Sequence, residues 1–104
     1  MIDEKTLIEV TRYFTIIHHI KGRIRVRVNP KIKDMGKSIT IEDIEALPRK
    51  INGINNIKIN KVVGSITIEY DHIIFPYDLW ENMILQKNTE HLVGLLNNLA
   101  REIA

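Results

Sequence analysis

Four histidines and three arginines at alternate positions are the residues best equipped for chemistry in this 104-residue chain. His18 and His19 are adjacent, His72 follows Asp71, and His91 stands apart. Imidazole with carboxylate suits Zn, Ni, Cu(II) or Fe, and a single imidazole can ligate haem. His18, His19 and His72 are therefore candidate ligands for a divalent transition metal or haem, with Asp71 as the acceptor that orients an imidazole. Neighbouring residues of a strand point to opposite faces, so only one of His18 and His19 joins a shared site unless the strand bulges. The plainer reading is a hydrogen-bonded, half-buried histidine beside a solvated one. His91 heads the last predicted helix and completes a site only by docking there.

Arg23, Arg25 and Arg27 form the second constellation, with Lys58 and Glu69 on neighbouring strands. Guanidinium forks bind carboxylate and phosphate in bidentate fashion, so an anion-binding or partner-binding face is one reading. A solvated face whose charges deter edge-to-edge association is the other. Nucleic acid is disfavoured, because the predicted outer face offers no aromatic ring for base stacking. The net charge of +2 adds no weight to it.

Other chemistry is excluded or unsupported. With no cysteine, the chain has no thiolate nucleophile, zinc ribbon or soft-metal CxxC pair. No GxSxG, HExxH or phosphate-cradling glycine loop occurs. Asp34, Glu42, Asp43 and Glu45 suit the positive end of a helix better than acid–base work. An enzyme is not expected. A hydrophobic fraction of 44% and charged fraction of 27% are those of an ordinary globular chain of one domain. No apolar run approaches the ~20 residues that span a bilayer, and residues 1–5 carry no apolar leader segment. The cytoplasm is the expected location.

The elements that must position these residues are read from periodicity. Residues 3–10 hold Leu7, Ile8 and Val10, enough for a short helix. Residues 14–28 alternate. Phe14, Ile16, His18 and Ile20 fall on one face with Ile24, Val26 and Val28, and the three arginines on the other, if one strand runs through Lys21-Gly22. Gly22 marks a bulge or bend. Asn29-Pro30 ends the strand. Ser38 or Thr40 caps a helix carrying Ile41, Ile44, Leu47 and Ile51, which Pro48 kinks or shortens. After Asn52-Gly53, Ile57 and Ile59 face inward on a second strand. Ile66, Ile68 and Tyr70 face inward on a third, the two forming a hairpin. Pro76 opens a helix with Leu79, Trp80, Met83 and Ile84. Leu92, Leu95, Leu96, Leu99 and Ile103 then give an amphipathic stripe. It covers the chain's own core or forms an interface with a partner or second copy. No fourth strand is predicted.

Strand, helix, hairpin and helix in this order make an α+β, ferredoxin-like βαββα(β) sandwich. Its last strand is replaced by a C-terminal helix over 89–104, and 1–12 is an extension before the core at 13–88. The first strand's edge is then open or covered by that helix. The segments Gly22-Arg23-Ile24-Arg25-Val26-Arg27-Val28, Ile51-Asn52-Gly53-Ile54 and Gly64-Ser65-Ile66-Thr67-Ile68-Glu69-Tyr70-Asp71 resemble those of a heavy-metal-associated (HMA-like) domain. The resemblance covers roughly residues 16–84 and is to the cysteine-free variety, found alone or at the start of metal-transporting P-type ATPases. It implies a non-enzymatic binding module in metal or haem handling. Metal-carrying relatives use a CxxC pair in the loop between first strand and first helix. Here that loop, 29–39, holds Met35 as its only sulfur, and one thioether makes no tight soft-metal site. The alternatives are a protein-interaction or dimerisation domain without metal and, third, weak nucleic-acid binding through the arginine face.

Overall fold

A computed structural model describes residues 4–32 and 40–99 of the chain. Helix α1 (Glu4–Thr11) leads into strands β1 (Phe14–Ile20) and β2 (Arg23–Val28). Two short helices follow, α2 (Ile41–Glu45) and α3 (Leu47–Lys50), then strands β3 (Ile54–Asn60) and β4 (Ser65–Tyr70). Helices α4 (Tyr77–Ile84) and α5 (Thr89–Leu99) complete the described chain. The strands form one antiparallel sheet in the order β1-β2-β4-β3. Met35, Ser38 and Ile103 lie outside the described residues.

The continuous strand expected over 14–28 is instead a hairpin. The chain reverses at Lys21-Gly22, where Gly22 takes φ +96°, a conformation that side chains with a Cβ rarely adopt. One strand of that span would also exceed the roughly 3–10 residues usual for strands. The reversal supplies the fourth strand. In chain order β2, α2–α3, β3, β4 and α4 follow the expected βαββα pattern, and α5 stands where a last strand would come. The place beside β2 is neither open nor covered by the final helix. It is filled by β1, which pairs with β2 from the N-terminal side.

The β1–β2 register also corrects the predicted faces. Phe14 pairs with Val28 and Ile16 with Val26, but the register shifts between Ile16 and His18, leaving Ile17 as an extra residue. Beyond this bulge His18 pairs with Arg25, His19 with Ile24 and Ile20 with Arg23. Parity therefore inverts: His19 faces inward, while His18 and Ile20 leave the face they were expected to share with Phe14 and Ile16.

The inner face is aliphatic for the reason alternation predicts. Ile24 and Val26 of β2 are fully buried, and Ile54, Ile66, Ile68 and Tyr70 pack around them. Each such side chain contributes about 1.5–3 kcal/mol by leaving water. Thr40 caps α2: its Oγ1 accepts from Asp43 N at 3.1 Å, and Asp43 Oδ2 accepts from Thr40 N at 3.0 Å. That backbone donation holds the Asp43 carboxyl below its ordinary 3.8. Pro48 does interrupt the helix, as Ala46 ends α2 and Pro48 sits in the first turn of α3. Helix α1 packs on α4 and α5, and α4 reaches β1. Gln86, at φ +57°, joins the ends of α1 and α4 by donating from Nε2 to Ile8 O at 2.9 Å and Met83 O at 2.6 Å.

Two glycines test this arrangement in opposite directions. At Gly53, φ is +96° and a Cβ would meet Ile74 Cγ2 and Phe75 Cβ at 3.0 Å. Gly53→Ala is therefore expected to lower the unfolding free energy by about 2–4 kcal/mol. Gly94 lies within α5 with nothing within 4 Å of its missing Cβ. Gly94→Ala is expected to raise stability by up to about 1 kcal/mol. Urea unfolding of both variants measures the two effects; a harmless Gly53→Ala would contradict the packing described.

Candidate functional site

Strand pairing orders the open face of the sheet into three rows. Thr15, Arg27, Ser65 and Asn60 are cross-strand neighbours, as are His18, Arg25, Thr67 and Lys58. The third row is Ile20, Arg23, Glu69 and Asn56. Arg23, Arg25, Arg27 and Lys58 are all exposed, and among the described residues none of them enters an ion pair. The one carboxylate in these rows, Glu69, accepts from Asn56 Nδ2 at 2.9 Å. The rows contain four cations, hydroxyls, amides, one imidazole and the half-exposed Ile20, and no phenyl, phenol or indole ring. Tyr70 points inward, as alternation predicts.

On the other face His19 is enclosed, its side chain 2% exposed. Nδ1 donates to Glu81 Oε2 at 2.7 Å, and Nε2 lies 2.7 Å from the Tyr70 hydroxyl. The ring stacks on Tyr77 with centroids 3.7 Å apart and planes 9° from parallel. Tyr77 and Glu81 are four residues apart on α4 and so present one helical face to β1. The Tyr70 hydroxyl also donates to Ile20 O at 3.3 Å, which closes the network over the end of the edge strand. Burial, followed by smaller effects that include the nearby Tyr77 and Glu81, pushes the Tyr70 phenol above its ordinary 10.0. Beneath it Trp80 stacks on Phe75 at 4.3 Å.

The expected ligands are brought to one end of the sheet but not to one point. Gly22, in the turn after His18 and His19, accepts from Tyr70 N, beside Asp71 and His72. His18 is exposed on the arginine face, His72 is exposed in the turn after β4, and His19 has both nitrogens engaged. Asp71 Oδ1 accepts from Ile73 N at 2.9 Å. Among the described residues no three of His, Cys, Asp and Glu converge as a metal-binding group. The donors among the described residues, imidazoles and carboxylates that do not converge, do not fit a soft, heavy-metal ion. The roles of Glu81, Tyr77 and the Tyr70 hydroxyl escaped sequence reasoning, since their partners lie 51 to 62 residues away.

The stripe on α5 divides. Leu92 and Leu96 are buried in the core and Leu99 packs against it, whereas Leu95 is 38% exposed. Leu95 lines an apolar groove of about 370 Å³ between α4 and α5, with Ile74, Pro76 and Leu79 opposite and His91 beside it. No described helix is long and apolar enough to cross a membrane.

The His19 network generates a stability prediction. His19→Ala is expected to lower the unfolding free energy by about 2 kcal/mol or more, and Tyr70→Phe by about 1 kcal/mol, in chemical denaturation. Tyr70 also predicts a pH dependence. The unfolded phenol ionises near 10.0 while the folded one keeps its proton to higher pH. The stabilisation is then complete below pH 10 and lost as pH rises through the folded value. Above pH 10 wild type is expected to lose stability more steeply than Tyr70→Phe; parallel curves would refute the assignment.

Comparison with known proteins bears on the whole chain. No curated protein and no solved structure gives a match. The heavy metal associated domain 2 family does match, over residues 6–101, from within α1 to beyond the end of α5. The sheet order, the Gly22-to-Val28 strand and the β3–β4 hairpin all lie inside that span. The chain thus belongs to the heavy metal associated domain 2 family.

Proposed function

We propose that this protein is a non-catalytic, metal-associated binding module that serves as a cytoplasmic adaptor in metal or haem handling, docking onto a partner instead of gripping the cargo through a CxxC pair. Family membership supports the metal association. The observation that carries the adaptor half is His19, the one imidazole the fold encloses. Glu81 and Tyr70 occupy both of its nitrogens at 2.7 Å, so it serves the fold. The remaining candidate donors, His18 and His72 with Asp71, are solvent-facing or engaged locally, and imidazoles so placed hold an ion weakly.

Titrating the purified chain with Zn, Ni, Cu and haem while following absorbance tests this reading. Uptake weaker than ~10 μM is expected, roughly −7 kcal/mol, and His18→Ala with His72→Ala is expected to abolish what uptake there is. Stoichiometric binding well below that concentration would overturn the adaptor reading. Tight uptake that survives both substitutions would also remove the proposed donors.

A further inference from the structure

From the open sheet face we infer that its docking partner is an extended, acidic protein segment whose alternate carboxylates meet Arg23, Arg25 and Arg27. The inference rests on the adaptor reading and names the chemistry of what is docked. Alternate residues of a strand stand roughly 6.6–6.8 Å apart on one face. The three guanidiniums of β2 therefore form a ladder with that spacing, and an extended segment with an acid at every second residue has the same repeat. Each guanidinium can hold a carboxylate through two parallel hydrogen bonds.

The four cations of the face are offset from within by one carboxylate only, Glu69, which stands across from Arg23. Arg23, Arg25, Arg27 and Lys58 are exposed without ion pairs among the described residues, while Glu69 is engaged by Asn56. Like charges at alternate positions repel one another, and an acidic ligand relieves that repulsion. Lys58 lies in the same row as Arg25, across Thr67, and widens the positive field. Thr15, Thr67 and Asn60 supply hydrogen-bonding groups between the charges. On the β1 side, Ile20, across from Arg23, is 47% exposed and offers aliphatic contact to a neighbouring residue of the segment. Single-stranded nucleic acid is bound on platforms of exposed rings that stack the bases. The rows contain no such platform. Protein carboxylates fit better.

The test is fluorescence anisotropy of a labelled peptide alternating Glu and Thr, added to the full chain. A Gln–Thr peptide and an oligothymidine serve as comparison probes. The Glu peptide is expected to bind, to outbind both others, and to weaken as salt rises from about 50 to about 200 mM. Arg25→Glu is expected to weaken it roughly tenfold and reversal of all three arginines to abolish it. The corresponding Arg→Gln variants, checked by circular dichroism, guard against loss of fold and are expected to show a smaller loss. Equal binding of Glu and Gln peptides, indifference to the arginines, or tighter binding of oligothymidine would each overturn the inference. These outcomes leave the metal titration untouched. Tight ion uptake alongside intact peptide binding would sink the adaptor reading alone.

Discussion

Ile24 and Val26 have no exposed surface, and strand geometry then obliges Arg23, Arg25 and Arg27 to stand on the opposite side. Much of the molecule follows from that six-residue alternation. β2 is central, so its register passes to β1 on one side and β4 on the other, and through β4 to β3. Turning β2 over by a one-residue slip against β4 would bring guanidiniums into an interior of isoleucine and valine, where an unpaired charge costs several kcal/mol. The basic face is thus coupled to the core: the same register that buries the aliphatic residues keeps the arginines wet.

β1 obeys the same rule up to Ile16 and then departs from it by one inserted residue. The bulge turns His19 inward, where the Glu81 carboxylate and Tyr77 ring of α4 and the Tyr70 phenol of β4 receive it. An edge strand, hydrogen-bonded on one side only, gains a second attachment to the helical layer. His18 is sent to the opposite face in the same step. One local irregularity therefore decides which histidine belongs to the interior and which to the surface.

Legibility in the sequence follows the range of the interactions. Helices, the β3–β4 hairpin and the parity of β2 depend on neighbours within a few residues, and periodicity read them. Thr40 as a cap and Pro48 as a break were readable for the same reason. The reversal at Gly22 was harder, because hydrophobic alternation continues in phase across it, although the span of 14–28 was a clue. The bulge left no mark: Ile17 is as suitable for a strand as its neighbours. Nor could Tyr77 and Glu81 be attached to His19, since the contact exists only once α4 has packed on β1. The arginine ladder, being a property of one strand, was visible from the start, and the family resemblance ran through it.

Placing β1 ahead of β2 has a consequence for synthesis. The sheet needs no strand from the end of the chain, so all its pairings are available once Tyr70 has cleared the ribosome. Two of its three pairings are hairpins between consecutive strands, and only β2 with β4 must close a longer loop. Helices α4 and α5 then emerge onto a template already assembled, and the aliphatic face waits for them a few seconds at most. A strand delivered last would have left that edge unsatisfied through the whole of translation.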